Sequence, residues 1–112
     1  MAISRKRLAA LKPSDTNEHE LFLNQADTEV EGILRIANTL NSEVTYKVAH
    51  TDVSGAADPE DWFIPTRIID PFDTHEVSIT MGFNESLRVQ TETADSLVFQ
   101  LTGYLETVIP QT

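Results

Sequence analysis

Apolar and polar residues alternate in seven short stretches between about His19 and Ile109, and turn residues separate each stretch from the next. No stretch holds a helical period for more than a turn or two. The first strand is predicted over Glu20–Asn24, and Gln25, Ala26 and Asp27 turn the chain into a second over Thr28–Ala37, with Val30, Gly32, Leu34 and Ile36 on one face. Gly32 marks a bulge or a close backbone approach. Val44, Tyr46, Val48 and His50 alternate strictly with Thr45, Lys47, Ala49 and Thr51, the pattern of a half-buried antiparallel strand. Trp62–Ile69 reads as a strand that Pro65 confines to a sheet edge or a bulge. Val77, Ile79 and Met81, then Leu87, Val89 and Thr91, then Leu97, Phe99, Leu101, Gly103 and Leu105 complete the set. The longest irregular segment is Asp52–Asp61, where Pro59-Glu60-Asp61-Trp62 predicts a helical turn with proline in its first turn and acids at its positive end. Turns spaced by about 8–12 residues between short strands define an all-β chain, a single antiparallel Greek-key β-sandwich of about seven to eight strands.

The segment before this pattern differs in kind. Arg5, Lys6, Arg7 and Lys12 are four of the eight basic residues, and no acid lies among the first twelve positions. Residues 13–112 then hold four bases against eighteen acids, a net of −14. Lys12-Pro13-Ser14-Asp15-Thr16-Asn17 reads as a polar linker, so the expected organisation is an extended basic arm over residues 1–18 and a sandwich domain over 19–112. An acidic body repels nucleic-acid phosphates, while the basic arm is suited to an acidic protein surface. No apolar stretch approaches the ~20 residues of a membrane span, and the N-terminus lacks the apolar run of a secretory leader.

Candidate chemistry is thin. The 112 residues include no cysteine, which removes disulfides, thiolate catalysis and Cys-ligated metals. Asp58, Glu60, Asp61, Asp70, Asp73, His75 and Glu76 gather carboxylates around one strand, without the spacing of a calcium loop. His19, His50 and His75 are scattered and not spaced as zinc ligands. Neither Ser54 nor Ser78 sits in a nucleophile elbow. The expectation is therefore a chain with no catalytic residue, no metal and no cofactor. Trp62 and Phe63 follow the acidic loop, where aromatics mark a candidate protein-interface patch; the alternative is that one of them plugs the end of the sandwich, since one of two adjacent strand residues must point inward.

Met1-Ala-Ile-Ser-Arg-Lys6, Val30-Glu-Gly-Ile-Leu-Arg-Ile-Ala-Asn38, Val44-Thr-Tyr-Lys-Val-Ala49 and Ser96-Leu-Val-Phe-Gln-Leu-Thr-Gly-Tyr104, in that order, resemble the small all-β virion proteins of tailed bacteriophages. Ala37-Asn38, Lys47, Ser78-Ile-Thr-Met-Gly82 and Leu101-Thr-Gly103 stand where that family has its own strand-end and strand patterns. The resemblance implies a non-enzymatic, homo-oligomeric virion component. A capsid decoration or cement protein is the leading expectation, with a neck or tail accessory protein or a carbohydrate-binding module as alternatives. Its partners would be the major capsid protein or neck and tail proteins, reached through Arg5, Lys6, Arg7, Lys12, Trp62 and Phe63.

Overall fold

The computed structural model describes residues 3–24, 28–52 and 56–107. Eight strands lie within them: β1 (Ile3–Leu11), β2 (His19–Leu23), β3 (Thr28–Asn38), β4 (Val44–Thr51), β5 (Trp62–Ile69), β6 (Thr74–Met81), β7 (Ser86–Thr91) and β8 (Leu97–Thr107). They form two four-stranded antiparallel sheets, ordered β1-β8-β3-β6 and β2-β7-β4-β5. The strands pair first with last: β1 with β8, β2 with β7, β3 with β6 and β4 with β5. The chain is thus one antiparallel ribbon, rolled until β8 also meets β3 and β7 also meets β4, which is the strand order of a jelly roll.

The alternating pattern supplies each sheet with one apolar face, and the two faces bury each other. Val30, Leu34 and Ile36 of β3 and Leu97, Phe99 and Leu101 of β8 meet Val44, Tyr46 and Val48 of β4 and Leu87 and Val89 of β7. Tyr46 is the centre: its ring packs edge-on to Phe99 with centroids 6.4 Å apart, and its hydroxyl lies 2.8 Å from His75 Nδ1. Burial pushes the Tyr46 phenol above its ordinary pKa, against the opposing pull of the Arg67 charge.

The basic segment departs from expectation. Residues Ile3–Leu11 are an edge strand hydrogen-bonded along β8, with Leu8, Ala9 and Leu11 packed on the core, and are not an arm that projects. Arg5-Lys6-Arg7-Leu8-Ala9-Ala10 lacks clean alternation because a register shift between Arg7 and Ala9 interrupts the strand. Gly32, by contrast, is a close approach: β3 keeps register with both neighbours, and Gly32 faces Gly103 directly. A Cβ on Gly32 would lie 2.6 Å from the Thr102 carbonyl oxygen, and one on Gly103 would lie 2.7 Å from Gly32 Cα.

Two buried asparagines tie the ends of the sandwich. The Asn38 carboxamide donates to the Ser42 and Asp70 carbonyls at 2.8 and 3.1 Å and accepts the Leu40 N–H at 3.0 Å. Asn24 donates its side-chain N–H to the Gly82 carbonyl at 3.0 Å, and its backbone exchanges bonds with Glu85 and Asn84.

Gly103→Ala should lower stability by about 1–3 kcal/mol, since the clash is with backbone that cannot turn aside. Gly82→Ala should cost less, because its Cβ would meet only the Glu85 carboxylate at 3.4 Å. Chemical denaturation of the two variants checks the contrast. Removing residues 1–11 strips a strand and two leucines from the first sheet, and should lower the melting temperature by about 10 °C or more.

Candidate functional site

Residues 56–61 and the strand after them form the most elaborated surface among the described residues. Pro59–Asp61 is a single 3-10 turn, closed by the Asp61 N–H on the Asp58 carbonyl at 2.9 Å and by the Asp58 N–H on the Asp61 carboxylate at 2.8 Å. The connection is held down from outside the second sheet. Glu18 accepts the Ala57 N–H at 3.0 Å while its carboxylate also takes the Arg88 guanidinium, a pair largely removed from solvent. Ala49 points to that outer face opposite Trp62 and is nonetheless fully buried.

β5 borders the second sheet and carries register shifts between Tyr46 and Val48 and between Val48 and Ala49, the irregular edge that Pro65 requires. The second shift inserts Phe63 between residues paired to β4, leaving its ring 44% exposed. Trp62 is half-buried, with Lys47 Nζ 5.2 Å from its ring centroid, a cation–π contact that fixes one face of the indole. Between Phe63, the 3-10 turn and β6 lies a cleft of about 320 Å³ lined by His50, Glu60, Asp61, Phe63, Ser78 and Thr80.

Each histidine has its own partner: His19 lies 2.6 Å from Asp15, His50 2.8 Å from Glu85, and His75 lies beside Tyr46 and Asp73. Among the described residues, no three His, Asp or Glu side chains form a metal-binding group. The hydrogen bond from His19 holds the Asp15 carboxyl below its ordinary pKa, helped by the Asn17 N–H. Glu85 is held below its ordinary pKa first by the Gly82 N–H at 2.7 Å, which outweighs the opposing cost of burial, and then by His50.

The six residues singled out from the sequence fall on opposite flanks. Arg5, Lys6 and Arg7 lie along β1, which shares a flank with β2, and Lys12 follows it with its side chain exposed. The side chains of Arg5 and Lys6 lie outside the described residues. Trp62 and Phe63 lie across the molecule on β5, beside β6. Sequence reasoning did not find Glu18, Lys47 or Arg88, which meet their partners only through the fold. The Gly82–Glu85 contact spans only three residues and lies within one turn. No protein-family model matches this chain, and no curated protein matches it.

Glu85 gives a pH test. Its folded pKa is depressed, so its stabilisation is present above the unfolded value near ~4.3 and is lost as pH falls through the folded value. Glu85→Gln should lower the melting temperature at pH 7 and leave the two proteins closer together at pH 3. Thermal melts across pH 2.5–7 measure the convergence.

Proposed function

We propose that this chain is a non-enzymatic structural component of a tailed-bacteriophage virion, present in many copies, with capsid decoration or cement as its role. The observation that supports the reading most is the eight-stranded roll, an architecture used in viral capsid domains, in a chain whose strand sequences resemble small phage virion proteins. The mechanism is adhesive. The sandwich has a basic edge at β1 and, on the opposite flank, acids in the loops beside β5 and β6, so contacts with several neighbours raise the cost of shell dissociation without any chemical step.

Jelly rolls also serve as lectins, and Trp62 beside carboxylates favours a carbohydrate-binding module as the second reading. It ranks lower because Lys47 occupies one face of the indole.

Mass spectrometry and cryo-EM of purified particles test the assignment: the protein should co-purify at fixed stoichiometry and occupy repeated density on the particle. Recovery only from the soluble lysate would overturn it. Trp62 is the sole tryptophan, so its emission should move to the blue when the protein binds particles. Trp62→Ala should weaken attachment more than Thr93→Ala, which changes an exposed residue of the β7–β8 turn.

A further inference from the structure

Of the four strands that border the sheets, β2 has five residues and a register shift and β5 contains Pro65 and two shifts, features that block pairing with another chain. β1 has one shift and a run of bases that opposes only a like-charged partner. β6 has none of these. Its eight residues stay in unbroken register with β3 and include no proline, lysine or arginine. Thr74, Glu76, Ser78 and Thr80 are exposed along it. Among the described residues, the backbone of residues 75–81 makes no hydrogen bond outside its own sheet. A regular edge of this kind is a template for one more strand.

We propose that β6 receives β1 of a second copy of this chain, so that copies join head to tail through a continuous sheet. This deepens the homo-oligomer part of the reading above. The direction of the strands permits it: neighbours alternate along β1-β8-β3-β6, so β1 and β6 run oppositely and a copy displaced along the sheet presents β1 antiparallel to β6. Charge selects it. Residues 1–12 hold four bases and no acid, whereas residues 48–87, which contain β5, β6 and the loops beside them, hold eight acids and one base, Arg67. Pairing β1 with β1 would set base against base, while β6 brings one acid, Glu76, and no lysine or arginine. The unlike pair is complementary, and Glu60 and Asp61 at the cleft add negative charge beside the strand it would join. Such a contact is heterologous, so it either closes into a ring or continues as a filament.

The absence of cysteine makes a clean test. Full-length Arg7→Cys and Ser78→Cys variants, both at exposed positions, are treated with a short bismaleimide separately and mixed. A cross-linked dimer should form in the mixture and in neither variant alone, and a chain carrying both cysteines should give a ladder. Dimers of one variant alone would overturn the proposal. Sedimentation gives a second reading independent of cross-linking. Arg7→Glu and Glu76→Lys should each weaken self-association about tenfold or more, equimolar mixing should restore it, and salt above ~0.15 M should weaken the native assembly. Glu76→Lys sacrifices only an exposed pair with Arg35, so its fold should persist, as circular dichroism will report. A native protein that stays monomeric at every concentration while still attaching to particles overturns this inference and spares the virion reading. Association of the predicted kind in a protein absent from particles does the reverse. Cross-linking of Ser78→Cys to a different virion protein in place of a second copy would also overturn it.

Discussion

Where β2 and β3 end, the chain leaves one sheet for the other, and the backbone groups stripped of ladder partners must be paired inside the protein. Every connection except β4–β5 makes such a crossing, so the roll depends on polar satisfaction at its ends as much as on its apolar middle. Asn38 and Asn24 do this work with a carboxamide, which offers donors and an acceptor on one short side chain. Asn38 joins the β3–β4 and β5–β6 connections, while the adjoining Thr39 N–H reaches the Ser96 carbonyl beside β8. Each unpaired buried group would cost about 1–3 kcal/mol, enough to favour a different crossing.

The same economy of polar groups shapes the surface. Glu18 anchors the long connection and neutralises Arg88 together, and Lys47 lies over Trp62. With Arg35 paired to Glu76, most of the few bases in the acidic body are engaged locally. What remains is a molecule whose positive charge is concentrated at its first strand and whose opposite flank is negative, an arrangement that orders contacts by direction.

The alternating stretches were legible because burial on one side imposes a period of two, and Val44–Thr51 and Trp62–Ile69 match their predicted bounds. The Pro59 turn was legible from its proline and acids. β1 was not: its residues carry no clean alternation, and its strand conformation is imposed by β8 from the far end of the chain. The cleft was unreadable for a related reason, since His50, Phe63 and Ser78 converge only when the two sheets stack. Phe72, with a φ of 55° and 69% exposure, occupies a position that favours glycine or asparagine, which its residue type does not announce.

First-with-last pairing also sets the order in which this protein can be made. β4 and β5 are the earliest partners available, and each further step of the ribbon must close a longer loop, from β3 with β6 to β1 with β8. Contacts so distant in sequence belong to the slow class of two-state folders, on the order of milliseconds to seconds. During translation β1 emerges first and has no partner until β8 leaves the ribosome. Its run of like charges opposes pairing between two such unpartnered first strands, so the segment that completes the sheet is also one that repels its own copies until β8 arrives.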